Sequence, residues 1–121
     1  MINEKTLRFT ESEGMSMLYE LRIYTMHEGR MEAILQRFRQ HTLSIFERLG
    51  MKVYDFWIDQ TGLPKLYYVM EYKDMEERQR LWGAFLQDPE WIEVKRTSEE
   101  SGPIIEKIEG IFMNRADFFI R

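Results

Sequence analysis

The sequence predicts an α+β fold in which strands and helices follow one another in the order β-α-β-β-α-β. Short segments rich in β-branched and aromatic residues alternate apolar and polar side chains with a period of two. Longer segments between them carry apolar residues at helical spacing. The chain has 121 residues, which suits one domain with a buried core. These patterns indicate helices packed on one face of an antiparallel sheet.

Residues 18–25, LYELRIYT, form the first predicted strand. Alternation divides its side chains between two faces, with Tyr19, Leu21 and Ile23 on one and Glu20, Arg22 and Tyr24 on the other. We expect the polar set to point away from the helices. The later strands add residues to the same face, namely Val53, Asp55, Trp57, Tyr67, Val69 and Glu71. This face is too aromatic to be fully hydrated and too charged to be a dry core, which predicts that a second subunit covers it.

A long helix and a β-hairpin follow. Apolar residues recur at helical spacing through residues 31–49, and Gly50 occupies the position expected for a left-handed C-terminal cap. The segments 52–59 and 65–72 are rich in aromatic and β-branched residues and flank a connector that contains Gly and Pro. They predict the two strands of the hairpin.

The next segment begins with a capping signal. Asp74 precedes Glu77 by three residues, so a second helix is expected from this point. Asp88 and Pro89 suit the N-cap and first turn of an extra short helix, which would run from residue 90 towards residue 101. Arg78 falls on the apolar face of the second helix, where we expect its stem to lie on the core and its charge to pair with an acid.

The segment KIEGIFMNRADFFIR, residues 107–121, predicts a last strand that bends near Gly110. The complete order matches the split βαβ arrangement of ferredoxin-like domains. Residues 1–16 are polar and weakly patterned. We expect them to form a poorly ordered extension before a domain of residues 17–121.

Composition excludes several classes of partner. A net charge of −4 and the absence of a basic segment argue against nucleic acid. The longest apolar runs are far shorter than a membrane span, so no membrane association is expected. The sequence contains no cysteine, which excludes disulfides and thiolate chemistry and makes a reducing cytoplasm the expected compartment.

Several segments, taken in this order, resemble the NIPSNAP family of the dimeric α/β-barrel superfamily. They are LYELRIYT followed by EGR, FRQHTLSIFERLG, VYDFW, and YVMEYKDMEERQRLWGAFLQDPEW. The resemblance covers residues 17–119 and implies a homodimer in which the sheets of two ferredoxin-like subunits form a barrel, with a potential ligand cavity in each subunit. It leaves the chemistry open, because related barrels include cofactor-independent monooxygenases, isomerases, decarboxylases, haem enzymes and proteins with no assigned activity.

The candidate ligand-binding residues are Glu20, Arg22, Tyr24, Asp55, Trp57 and Tyr67. Arg22 supplies a planar donor fork and Tyr24 a hydroxyl, which suits an anionic or carbonyl-bearing ligand. The alternative is ion pairing within the sheet or across the dimer, where Arg22 meets Glu71 or Asp55. Asp55 and Glu71 can also act as a carboxylate acid and base if burial raises their pKa values.

His41 and Glu71 are the candidate catalytic residues. His41 lies at the edge of the apolar stripe of the long helix, where it can be a proton shuttle or a structural hydrogen-bonding residue. The sequence lacks a glycine-rich phosphate loop, a nucleophile elbow and a spaced pair of histidine ligands. We therefore expect no metal and no cofactor.

Three hypotheses for function stay open at this level. The first is a homodimeric small-molecule-binding or cofactor-independent enzyme-like barrel that takes a small apolar or carbonyl-bearing ligand. The second is a non-catalytic protein-interaction module, in which the polar strand face holds the dimer together. The third is a monooxygenase of the antibiotic-biosynthesis type, which needs a hydrophobic pocket but no cofactor.

Overall fold

The structure, a computed structural model, describes residues 16–120. It contains a four-stranded antiparallel sheet of order β2-β3-β1-β4. The strands are β1 (Leu18–Met26), β2 (Lys52–Ile58), β3 (Lys65–Tyr72) and β4 (Ile105–Met113). This arrangement confirms the predicted α+β, ferredoxin-like fold. Of the extension predicted at residues 1–16, all but Ser16 lies outside the described residues.

The long helix has an irregular middle. It consists of α1 (Met31–Arg37), a π-helical segment (Phe38–Thr42) and α2 (Leu43–Leu49), which follow one another without a break. Gly50 ends it in the left-handed conformation with a φ of 80°, as predicted. The π segment was not predicted, because apolar residues such as Ile34, Phe38 and Ile45 recur through it at the spacing of an ordinary α-helix.

Both later helices begin at the predicted caps. In α3 (Met75–Gln87) the Asp74 side chain accepts a hydrogen bond from the Glu77 backbone N–H at 2.8 Å. In α4 (Pro89–Ser98) the Asp88 side chain accepts from the Trp91 N–H at 3.0 Å. These side chains satisfy backbone donors that the first turn of a helix leaves free. The extra short helix is thereby confirmed.

The core lies between the helices and one face of the sheet. Phe38 and Phe46 project from the helical side, and Tyr68 and Met70 project from β3 to meet them. The rings of Phe38 and Tyr68 lie 5.3 Å apart between centroids. Within residues 16–120 no helix lies on the other face of the sheet, and the sheet does not close into a barrel on its own.

The predicted faces of β1 are the reverse of those in the structure. Glu20 and Tyr24 are buried on the helix-facing side, where the Tyr24 ring lies 6.0 Å from that of Phe38. The prediction was wrong because it treated the polar side chains as unsatisfied in a core. In the structure they bond to one another and to side chains from β3 and α3, which removes most of the cost of burial.

Two further predictions need correction. Val53 faces the core rather than the open face, because the register between β2 and β3 shifts between Val53 and Asp55. The last strand ends at Met113 instead of continuing to residue 121. Met113 pairs with Tyr19, the second residue of β1, so β1 offers almost no further backbone for β4 to pair with beyond Met113.

No helix within residues 16–120 is both long enough and apolar enough to cross a membrane.

Candidate functional site

A connected group of polar and aromatic side chains lies on the helix-facing side of the sheet, and we call it the Glu20 cluster. Its members are Glu20, Arg22, Tyr24, Tyr68, Tyr72, Arg78 and Trp82. Strands β1 and β3 contribute the first five, and one face of α3 contributes the last two. Alternation along each strand brings the members together, since residues two apart share a face.

Glu20 is the acceptor at the centre of the cluster and is 2 % exposed. Arg78 donates from Nε to Oε1 at 3.0 Å and from Nη2 to Oε2 at 2.8 Å. Arg22 Nη1 donates to Oε2 at 3.1 Å, and the Tyr72 hydroxyl donates to Oε1 at 2.9 Å. Trp82 Nε1 in turn donates to the Tyr72 hydroxyl. Both carboxylate oxygens are therefore fully engaged by donors.

Arg22 connects the carboxylate to a pair of tyrosines. Its Nε donates to the Tyr68 hydroxyl at 2.8 Å, and its Nη2 donates to the Tyr24 hydroxyl at 3.3 Å. The two hydroxyls share a hydrogen bond of 2.7 Å. The Arg22 guanidinium also lies over the Trp82 ring, 4.2 Å from its centroid, a favourable cation–π arrangement. The orientation of the guanidinium is thus fixed from several sides.

The environment fixes the protonation states of three groups. Burial alone would raise the pKa of Glu20, but hydrogen bonds from Arg78, the charge of Arg22 and the Tyr72 hydroxyl outweigh burial and lower that pKa. Burial raises the pKa of Tyr68 well above its ordinary value and also raises the pKa of Tyr72. At neutral pH Glu20 is therefore a carboxylate, whereas both phenols keep their protons.

The cluster carries one excess positive charge, because two guanidiniums share a single carboxylate. The side chains of Arg22 and Arg78 are 11 % and 18 % exposed. Gly110 on β4 lies opposite Arg22, and a Cβ added there would be 3.4 Å from Glu20 Oε2. Gly110 is itself exposed. The missing side chain at Gly110 therefore lets β4 pass close to Glu20 and leaves this position of the edge strand open to solvent.

The remaining sheet residues predicted to bind a ligand lie on the opposite face. Asp55, Trp57 and Tyr67 point away from the helices, as expected. Trp57 lines a shallow hollow of about 220 Å³ together with Tyr19, Tyr54, Val69, Met113, Asn114 and Arg115. Asp55 is exposed and accepts a hydrogen bond from the Phe56 backbone. The structure does not bring these residues together with Arg22 and Tyr24.

The two candidate catalytic residues are also separated. Glu71 lies on the open face, where it accepts a hydrogen bond from the Tyr19 hydroxyl at 3.0 Å and lies 3.7 Å from Lys52 Nζ. His41 is exposed in the π segment and lines a groove beside α4. The alternative in which Arg22 forms an ion pair within the sheet holds with a different carboxylate: Arg22 pairs with Glu20, whereas Glu71 and Asp55 lie on the other side of the sheet. The prediction that Arg78 pairs with an acid is confirmed by its contact with Glu20.

Sequence reasoning missed three members of the cluster, Tyr68, Tyr72 and Trp82. Tyr68 and Tyr72 share a face of β3 with the buried Leu66 and Met70, so alternation could have identified the two tyrosines as inward-facing hydroxyls. A buried tyrosine hydroxyl needs a hydrogen-bond partner. Among residues 16–120, no group of three or more His, Asp or Glu side chains is placed to hold a metal ion.

Comparisons with known proteins agree with the fold. A family model described as NIPSNAP matches residues 19–119. An uncharacterized NIPSNAP-like domain protein from Burkholderia xenovorans has a similar structure, with a TM-score of 0.75 and 22 % identity over 87 % of this chain and 90 % of that one. A NIPSNAP family protein from Agrobacterium tumefaciens gives a TM-score of 0.74 and 23 % identity over 84 % and 95 % of the two chains.

A more distant likeness links the fold to another group of proteins. A protein from Nitrosomonas europaea, described as a proposed antibiotic biosynthesis monooxygenase, gives a TM-score of 0.59 and 11 % identity. The aligned part covers 82 % of this chain and 89 % of that one. At such identity the likeness concerns the fold alone. No match was found among curated protein sequences.

Proposed function

The chain belongs to the NIPSNAP family, and we propose that this member binds a small molecule with an anionic or carbonyl oxygen at the Glu20 cluster. One observation carries the proposal, namely that two largely buried guanidiniums share a single carboxylate. Buried charges in proteins are normally paired. An anionic oxygen of a ligand would balance the remaining positive charge of Arg22 and Arg78, and a carbonyl oxygen would accept a hydrogen bond from one of them.

The donor geometry supports such a ligand. Each terminal guanidinium nitrogen carries two hydrogens. Nη1 and Nη2 of Arg22 each donate one hydrogen bond within the cluster, so each has a second hydrogen for a ligand oxygen. Beside Gly110, the exposed side chains of Ile108 and Phe112 occupy the same face of β4. The Phe112 ring centroid lies 5.3 Å from Arg78 Cζ. A ligand with an oxygen at one end and an apolar body could accept hydrogen bonds from the guanidinium and pack against Ile108 and Phe112.

The cluster supports binding and orientation better than acid–base catalysis. Glu20 stays ionised, and Tyr68 and Tyr72 stay protonated, so none of these three groups exchanges a proton near neutral pH. The monooxygenase hypothesis from the sequence stays a prediction, and the Nitrosomonas europaea likeness supports only its fold. The cytoplasmic location also stays a prediction.

We propose in addition that two copies pair through the open face of the sheet. This face carries apolar side chains from all four strands, including Leu21, Ile23, Trp57, Val69, Ile111 and Met113. Trp57 and Ile111 are each 48 % exposed in the single chain. Contiguous exposed apolar surface is typical of an interaction site. Because the Glu20 cluster is on the opposite face, we expect pairing to leave it accessible.

A substitution at Gly110 tests the ligand proposal without removing a charge from the cluster. Calorimetric titration of the protein with benzoate, phenylacetate and matching neutral ketones should detect binding by at least one compound. Gly110→Val should weaken that binding at least tenfold, because the new methyl groups would occupy the approach to Glu20 and Arg22. Gly110→Ala should have a smaller effect.

Glu109→Val is the control, since it places the same side chain at the adjacent position, which faces the other side of the sheet. Binding by this variant should equal that of the parent protein. The proposal is wrong if no compound binds and native mass spectrometry finds no retained small molecule. It is equally wrong if Gly110→Val binds as tightly as the parent.

A further inference from the structure

A second polar groove lies away from the Glu20 cluster, between the irregular long helix and α4. It has a volume of about 390 Å³, within the range of small-ligand sites. The polar residues that line it include Gln36, Arg37, Gln40, His41, Glu93 and Ser98. The predicted candidate His41 therefore belongs to this groove, together with a cation that sequence reasoning did not identify.

The groove is built on the π segment. The Leu43 backbone N–H donates to the Phe38 carbonyl, a step of five residues, and the buried Thr42 hydroxyl donates to the Arg37 carbonyl at 3.3 Å. Isolated π turns interrupt otherwise regular helices and occur frequently at functional sites. Here the π turn begins directly after Arg37 and includes Gln40 and His41, so the irregular backbone and the polar lining coincide.

Arg37 is 4 % exposed and only partly satisfied. Its Nη1 donates to the Ser98 hydroxyl at 3.1 Å and to Glu99 Oε2 at 3.2 Å, and its guanidinium lies 5.0 Å from the Trp91 ring centroid. Its Nε is buried and has no partner among residues 16–120. Within these residues Arg37 donates hydrogen bonds from Nη1 only, so Nη2 makes none. These two nitrogens form one edge of the guanidinium, from which a carboxylate can accept two parallel hydrogen bonds.

The surrounding charges limit the type of ligand. Glu99 pairs with Arg37 and with Lys95, at 3.2 Å in each case. Glu93 pairs with Arg96 at 2.6 Å. The groove therefore has no strong positive field that would attract a polyanion. What it offers a ligand is the pair of donors at Arg37 Nε and Nη2, beside the apolar side chains of Ala33 and Val94.

We propose that this groove is a second binding site, which takes a small monocarboxylate with an apolar body. The carboxylate accepts hydrogen bonds from Arg37 Nε and Nη2, and the ring of His41 and the amide of Gln40 contact the ligand at the rim. The site is separate from the Glu20 cluster in position and in its residues, so it does not depend on the function proposed there.

Residue-resolved NMR with benzoate as the probe tests this proposal. Benzoate added to ¹⁵N-labelled protein, with sodium chloride at equal ionic strength as the reference, should shift the Arg37 Nε–H and His41 signals saturably in the millimolar range. Arg37→Lys keeps the charge but removes the two-donor edge, so it should weaken binding at least tenfold. Arg39→Lys, the same change at an exposed residue of the π segment, should leave binding unchanged.

Two further variants keep the test decisive. Thr97→Trp places a bulky ring at an exposed position of the groove lining, so it should abolish the shifts even if Arg37→Lys fails to fold. Gly110→Val should leave the shifts intact, because it alters only the approach to the Glu20 cluster. The proposal would be overturned if the benzoate-induced shifts do not saturate. It would also be overturned if the Thr97→Trp variant, or a folded Arg37→Lys variant, binds benzoate as tightly as the parent protein.

Discussion

Arg78 and Glu20 form a two-point ion pair that joins α3 to β1. Arg78 Nε and Nη2 reach separate oxygens of the carboxylate at 3.0 and 2.8 Å, the geometry in which a guanidinium binds a carboxylate most specifically. Glu20 is nearly inaccessible to solvent, whereas Arg78 is partly exposed. The pair therefore fixes the position of the helix over the sheet and holds the donors of the cluster in place.

Replacing the central carboxylate should destabilise the protein strongly. Glu20→Gln leaves Arg22 and Arg78 close together without an anion, and losing one partner of a buried pair typically costs about 3–5 kcal/mol. Urea unfolding of the variant measures the change in the free energy of unfolding. Glu109→Gln, on the exposed edge strand, should change it by less than about 0.5 kcal/mol. Equal losses in the two variants would contradict the central role of Glu20.

The same carboxylate should make stability depend on pH in the acid range. The pKa of Glu20 in the folded protein lies below its ordinary value of 4.5, so its stabilising contribution is complete above pH 4.5. The contribution is lost as the pH falls through the lowered pKa. The difference in unfolding free energy between the parent and Glu20→Gln should therefore shrink on acidification below pH 4.5. A difference that stays constant in urea titrations at several pH values would refute this assignment.

The Tyr68 hydroxyl should contribute to stability by accepting from Arg22. Tyr68→Phe leaves Arg22 Nε and the Tyr24 hydroxyl without this partner, and an unsatisfied buried polar group costs about 1–3 kcal/mol. Tyr67→Phe makes the same chemical change at the next residue, on the open face of the sheet, and should alter stability by less than about 0.5 kcal/mol. Thermal and urea unfolding of both variants provide the comparison.

The cap of α4 should be a second point of stability. Asp88 accepts from the Trp91 N–H at 3.0 Å and from Arg48 Nη2 at 2.7 Å. Asp88→Ala removes both interactions and should destabilise the protein by about 1–2 kcal/mol. Asp88→Asn keeps a capping oxygen and should lose less. If both variants unfold at the same urea concentration as the parent, the cap does not stabilise the helix.

Pairing through the open face should be sensitive to a charge introduced on that face. Trp57→Lys places a cation among the apolar side chains of that face and should convert a dimer into a monomer, as measured by light scattering after size-exclusion chromatography. Leu86→Lys introduces the same charge at another exposed apolar residue, on α3, and should leave the mass unchanged. A Trp57→Lys protein that keeps a dimeric mass would locate the interface elsewhere.

Much of the fold was accessible from the sequence because its signals are local. Asp74 and Asp88 cap helices through bonds to residues only three positions away, and Gly50 ends a helix through its own backbone conformation. The candidate site was only partly accessible. Glu20, Arg22 and Tyr24 were identified as a set, but Tyr72 and Arg78 approach Glu20 from 52 and 58 residues away, and alternation alone does not choose which face is covered.

The sequence by itself determined the order of the strands and helices, the positions of the caps and the alternation that groups Glu20 with Arg22 and Tyr24. These features depend on residues that are neighbours along the chain. Only the tertiary structure decided that this polar set faces the helices and that His41 and Glu71 lie apart from it. It also decided that one guanidinium edge of Arg37 has no partner within the part of the chain that the structure describes. The physical reason is that burying a charge is acceptable only when distant segments supply its partners, and those partners meet only in the folded chain.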